Sequence, residues 1–137
     1  MREFEYQPRK EKDFLIPQAV YKQAVWAVKD LPRLREKFSV LKGDAYSIGS
    51  HNLLVQAGLN GLLSDVTSNN AIELVNLSFR INAIEEAAEM LPEKYKMGVL
   101  THITNDVLYD ETFANIKTWR RWQQVFIYYC ALNLKLL

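Results

Sequence analysis

"NIKTWRRWQQVFIYYCALNLKLL", residues 115–137, is the stretch whose reading decides the fold. Trp119, Trp122, Phe126, Tyr129 and Asn133 follow at intervals of three or four, so on an α-helix they share one side. Cys130 and Ala131 widen that stripe, while Lys117, Arg120, Arg121, Gln124 and Tyr128 fall on the opposite arc. The spacing predicts an amphipathic helix with its indoles buried and its guanidinium groups in solvent. No Asp or Glu occurs from Ile116 onward, so these cations lack the acidic neighbours at helical spacing usual on a purely solvated face.

The preceding segments read the same way. In "LSDVTSNNAIELVNLSFRINAIEEAAEML", Leu74, Leu77, Ile81, Ile84, Ala88 and Leu91 form one stripe, with Arg80 and the Glu85–Glu86 pair opposite. Ser64 and Asp65 are the expected N-caps of a helix of about six to seven turns. Its stripe would pair with the N-terminal helix or with another subunit. Pro92 is expected to end that helix and start the next, "LPEKYKMGVLTHITND", whose face is Tyr95, Val99, His102 and Ile103. "VLYDETFAN" is then a short connection or a single turn.

Toward the N-terminus, "IPQAVYKQAVWAVKDL" places Ile16, Val20, Ala24, Ala27 or Val28, and Leu31 at helical spacing, with Pro17 in the first turn. Pro32 predicts a kink or a restart capped by Asp30, and "PRLREKFSVL" would end at Gly43. Residues 43–63 break the pattern and read as a connector with room for one short helix around "SHNLLVQA". Residues 1–13 read as a frayed polar arm. The fold expectation is all-α: a helical bundle with a long central helix and a C-terminal pair resembling a helix-turn-helix. Residues 1–63 would hold the N-terminal helices and connector, and 64–137 the long helix and that pair.

The bulk properties agree. A chain of 137 residues, 49% hydrophobic and 24% charged, has the composition of a globular domain. Its single cysteine excludes an internal disulfide and suits a reducing, cytoplasmic setting. No apolar run approaches the ~18 residues of a membrane span, and the charged start "MREFEYQPRKEKDF" lacks a signal-peptide core. The expectation is a protein without a membrane partner. The net charge of +1 hides a segregation: +4 over residues 1–42, −7 over 43–115 and +4 over 116–137. Such asymmetry can orient a protein on a polyanion, or it can be an inert dipolar surface.

Residue types for catalysis are present without the spacing that catalysis needs. His51 and His102 have no metal-ligand partner at a useful interval. Asp106, Asp110 and Glu111 read as capping and loop carboxylates, Cys130 as a buried thiol, and no glycine-rich phosphate loop occurs. No enzyme activity, metal or cofactor is expected. The arginines of the last helix have two readings: the wet side of a core helix, or a surface for nucleic acid. Arg and Gln can contact guanine and adenine edges bidentately, and Asn115, Lys117 and Thr118 stand at the helix start, where a recognition helix meets the duplex and backbone N–H groups favour phosphate. The candidate DNA-binding residues are Asn115, Lys117, Thr118, Arg120, Arg121 and Gln124.

Three motifs carry a resemblance. "AIEEAAEMLPEKYKMGV" looks like the start of region four of bacterial sigma factors. "SDVTSNNAIEL" resembles an "SDPT…A" element with Val66 at the proline, and "KTWRRWQQVFIYYCALNL" resembles a terminal "T-aromatic-RW" helix. In this order they are similar to the RinA/ArpU-like transcriptional regulators of phages and prophages of Gram-positive bacteria. "IPQAVYKQAVWAVKDLPRL" also looks like the N-terminal helix of small prophage proteins of that group. The resemblance covers most of residues 14–137, leaving 43–63 unmatched. It implies a sequence-specific binder of double-stranded DNA that activates late or packaging genes. In it "LPEKYKMGVLTHI" would be the scaffold helix and "KTWRRWQQVF" the recognition helix. Only "VLYDETFANI" separates those two, so the middle helix of the sigma pattern is short or missing and its turn glycine is absent. The alternative is a non-catalytic interaction or assembly module, such as a packaging factor or an RNA polymerase adaptor. In that case the Leu74–Leu91 stripe is an intermolecular seam of a homo-oligomer or a complex.

Overall fold

The computed structural model describes residues 2–48 and 68–137, and every regular element among them is helical. Helix α1 spans Gln18–Lys29, α2 Leu31–Ile48, α3 Ser68–Ala88, α4 Glu93–Asn105 and α5 Ile116–Asn133, with single 3-10 turns at Glu3–Glu5 and Lys12–Phe14. The protein is all-α, as the periodicity predicts. The short helix expected around "SHNLLVQA" and the caps expected at Ser64 and Asp65 lie outside the described residues. No helix among the described residues is long and apolar enough to cross a membrane.

The chain forms two compact units, and they do not follow a boundary at residue 63. One unit combines Met1–Leu31 with Asn82–Leu137; the other is Pro32–Ile81, so α3 contributes to both. In the first unit, α1, α4 and α5 pack against one another. Tyr21, Val25, Val28, Val99, Ile103, Phe126, Ile127 and Cys130 are fully buried there. The amide of Asn133 donates to the carbonyl of Ala83 at 3.0 Å, tying the end of α5 to the end of α3. In the second unit, Lys37 of α2 pairs with Glu73 of α3 at 2.6 Å, and Leu34, Ala71, Leu77 and Ile81 are buried. Of the predicted α3 stripe, Leu77, Ile81, Ile84, Ala88 and Leu91 are buried and Leu74 is half-buried.

The prolines act at the boundaries. Pro17 and Pro92 both take extended geometry (φ −53°, ψ 139° and φ −56°, ψ 141°) and start α1 and α4. Asp30 alone separates α1 from α2. The expected stop at Gly43 does not occur, and α2 continues to Ile48. A glycine inside a helix costs only about 1 kcal/mol, which the flanking turns override. Helix α4 ends at Asp106 in the left-handed region (φ 57°), which Asp tolerates better than most residues. The ammonium of Lys29 reaches this end from α1, donating to the carbonyl of Ile103 at 3.3 Å and to Asp106 at 2.9 Å.

The N-terminal arm is not frayed. Phe4 is 5% exposed, sets its ring edge-on to Trp26 at 5.5 Å and carries the Lys29 ammonium at 4.6 Å. Gln7 is buried and exchanges two hydrogen bonds with the backbone of Ile16, at 2.9 and 3.0 Å. An arm rich in charge folds because its few apolar and amide side chains find partners distant in sequence. Between α4 and α5 no helix forms, so the middle element of the sigma pattern is absent. Residues 106–115 instead hold a turn in which Asp110 accepts from the backbone N–H of Thr112 at 3.0 Å and from its hydroxyl.

Candidate nucleic-acid interface

The start of α5 is built by Asn115, whose side chain accepts from the N–H of Lys117 at 2.9 Å. The backbone carbonyl of Asn115 takes the N–H groups of Thr118 and Trp119. Asn115 is therefore committed to capping. The N–H groups of Lys117, Thr118 and Trp119, which a phosphate would otherwise meet, are already engaged.

The inner face of α5 follows the prediction at Trp119, Phe126, Cys130 and Ala131, which are buried, whereas Trp122, Tyr129 and Asn133 are only half-buried. Trp119 is 3% exposed, stacks on Tyr109 at 4.9 Å and donates its indole N–H to the carbonyl of Asp110 at 2.9 Å. Tyr95 meets Trp119 edge-on at 5.1 Å and stacks with half-buried Trp122 at 5.8 Å. Phe126 is fully buried.

The outer face departs from expectation. Gln124, assigned to solvent and to DNA, is buried at 1% exposure and donates to the carbonyls of Pro8 (3.0 Å) and Glu11 (3.3 Å). It cannot reach a base edge with the arm in place. Its neighbour Gln123 is also buried: its amide donates to the carbonyl of Phe4 and the hydroxyl of Tyr21, and its oxygen accepts from Tyr109. The arm thus lies along the polar face of α5 and is held there by two glutamines.

The arm also supplies the acids that the C-terminal segment lacks. Arg120 faces Glu3 at 3.6 Å and Arg121 faces Glu11 at 3.6 Å, so neither arginine is without an acidic partner. At 3.6 Å these are charge pairs rather than hydrogen bonds. The Arg121 side chain stays 59% exposed and that of Arg120 37%, and the Arg120 guanidinium lies 5.1 Å from the Tyr6 ring centre. Exposed pairs of this kind contribute about 0–1 kcal/mol each and exchange readily with other anions.

Between arm and helix lies a groove of about 290 Å³. Tyr6, Pro8, Arg9 and Lys10 line it from the arm, Lys117 and Arg121 from α5, and Glu11 and Arg120 complete it. Among the described residues no carboxylate pairs with Arg9, Lys10 or Lys117. Five cations thus share one groove with a single lining acid. Three of them also sit in the first two turns of α5, where the positive end of the helix dipole disfavours cations. Thr118 is half-buried beside them. Sequence reasoning reached Lys117, Arg120 and Arg121 but missed Tyr6, Arg9 and Lys10; Phe4, Tyr6 and Phe14 inside the charged arm were the available sign that it packs.

His102 is 4% exposed, stacks on Tyr109 at 3.8 Å, and its Nδ1 lies 2.7 Å from the carbonyl of Val107. Burial pushes the Cys130 thiol and the Tyr21 and Tyr109 phenols up from their ordinary values. The Thr112 hydroxyl holds the Asp110 carboxyl below its usual range. Among the described residues no group of three His, Cys, Asp or Glu side chains is placed to hold a metal ion, and His51 lies outside them. Compared with family models, curated proteins and solved structures, the chain matches none.

Proposed function

We propose that this chain is a DNA-binding transcriptional regulator of the phage and prophage kind, gripping the duplex through its phosphates at the groove between the arm and α5. The observation that carries the reading is the gathering of Arg9, Lys10, Lys117, Arg120 and Arg121 around one open groove, three of them unpaired among the described residues. Clustered like charges at the positive end of a helix destabilise the fold, and a polyanion relieves that repulsion. With Gln124 buried and Asn115 engaged in capping, α5 offers few groups for base edges, so phosphate contacts dominate. The regulatory role, with late or packaging genes as targets, rests on the sequence resemblance, and no catalytic step belongs to it.

The test is duplex binding followed by fluorescence anisotropy across a salt series. Neutralising phosphates releases counterions, so the wild type should show a salt slope near −0.9 for each phosphate contact, and Lys117→Ala or Arg121→Ala should each reduce it by about one. Lys117→Glu with Arg121→Glu should abolish binding. A double variant that binds duplex as wild type does would remove the proposal.

One observation favours the alternative of an interaction or assembly module. On α3, Ile72, Val75 and Phe79 are each about half exposed and recur at helical spacing. Light scattering with and without duplex separates the two: a stable oligomer or complex indifferent to DNA supports the module.

A further inference from the structure

The groove is small as well as basic. Its volume of about 290 Å³ lies near the lower end of small-ligand sites. Its chemistry is also mixed. Arg9 and Lys10 line it from the arm and Lys117 and Arg121 from the helix, so both walls offer cations to a phosphate. The arm wall carries Tyr6 and Pro8 as well. Tyr6 is 45% exposed, and its ring is steadied by the Arg120 guanidinium at 5.1 Å. The Tyr6 carbonyl accepts from the Tyr21 hydroxyl at 3.0 Å, and Gln124 holds the carbonyl of Pro8, so the backbone that carries both side chains is tied to the core. A bare phosphate site has no use for an aromatic and a proline on its wall. A planar base does, because every base has a face that stacks on an aromatic ring.

We propose that this groove binds a single nucleotide unit, its phosphate between the arm and helix cations and its base against Tyr6 and Pro8. The inference rests on the same basic groove as the proposed function and names what enters it. The unit is either a free nucleotide or one unpaired nucleotide of a strand.

The experiment is isothermal titration calorimetry of the full chain with adenosine monophosphate, adenosine and inorganic phosphate. A short single-stranded oligonucleotide and a short duplex are then used as competitors. Stacking of one base predicts that the nucleotide binds about tenfold tighter than inorganic phosphate. Tyr6→Leu should remove that advantage, with a far-UV circular dichroism spectrum equal to wild type showing that the variant is folded. Lys117→Glu should weaken both ligands. Displacement of the nucleotide by the single strand identifies a strand as the source; no displacement identifies the free nucleotide. A nucleotide that binds no better than phosphate, or a Tyr6→Leu variant with full nucleotide selectivity, overturns the inference. Duplex binding without nucleotide selectivity overturns it and leaves the DNA reading standing. Nucleotide selectivity without duplex binding supports it and removes the DNA reading.

Discussion

The side-chain amide of Gln123 donates to the carbonyl of Phe4 at 2.8 Å, across 119 positions of sequence. Its oxygen accepts from the Tyr109 hydroxyl at 2.5 Å, so one buried amide joins α5, the arm and the α4–α5 connection. Replacing it with Leu keeps the volume and removes both functions, stranding the Phe4 carbonyl and the Tyr109 hydroxyl. Gln123→Leu should lower stability by about 2–6 kcal/mol, at about 1–3 kcal/mol for each of the two unsatisfied buried groups. Urea unfolding measures this, and a midpoint equal to wild type would show that the network does not hold the arm.

The aromatic cluster predicts a second loss at Gly98. A Cβ there would lie 2.6 Å from two ring carbons of Trp119. That ring cannot swing aside freely, because its N–H is bonded to Asp110 and its face lies on Tyr109. Alanine gains about 1 kcal/mol of helix propensity over glycine, while overpacking costs about 1–3 kcal/mol. Gly98→Ala should therefore be destabilising on balance, read as a lower thermal midpoint, although an isolated helix would gain from it.

Two buried phenols set the alkaline limit. Tyr21 and Tyr109 have their pKa raised by burial above the ordinary 10.0. Above that pH the unfolded chain releases protons that the folded chain keeps. Stability is therefore unaffected by these groups below about pH 10 and falls as pH rises toward the folded values, with a slope near 1.4 kcal/mol per pH unit for each tyrosine. Urea titrations between about pH 9 and pH 12 should show this fall. Tyr21→Phe should flatten it; an unchanged slope would count against burial as the cause.

The arm acids should compete with bound anions. Glu3 and Glu11 occupy Arg120 and Arg121 at 3.6 Å without hydrogen bonds. Removing both charges in Glu3→Gln with Glu11→Gln frees two cations that exposed pairs hold by about 0.2–1 kcal/mol each, so duplex affinity should rise by about twofold to thirtyfold. Anisotropy at low salt reads this directly. An affinity equal to or below wild type would mean that these carboxylates do not screen the groove.

What was legible in the sequence was whatever repeats along one helix. The spacing of Trp119, Trp122 and Phe126 marked the inner face of α5, Leu77 through Leu91 marked that of α3, and Pro17 and Pro92 marked two helix starts. These follow from backbone geometry, which acts over three or four residues and so leaves a periodic trace. Gln124 was not legible, since it occupies a solvent-facing position by period and is buried only because the arm covers it. Pairing of Glu3 with Arg120 and of Glu11 with Arg121 likewise joins opposite ends of the chain. By itself, then, the sequence determined the helices, their apolar faces and the excess of cations on the last one. Only the tertiary structure decided that a folded arm turns that cationic face into a groove. Contacts between segments so distant leave no period to read, and they exist only once the core has brought both segments together.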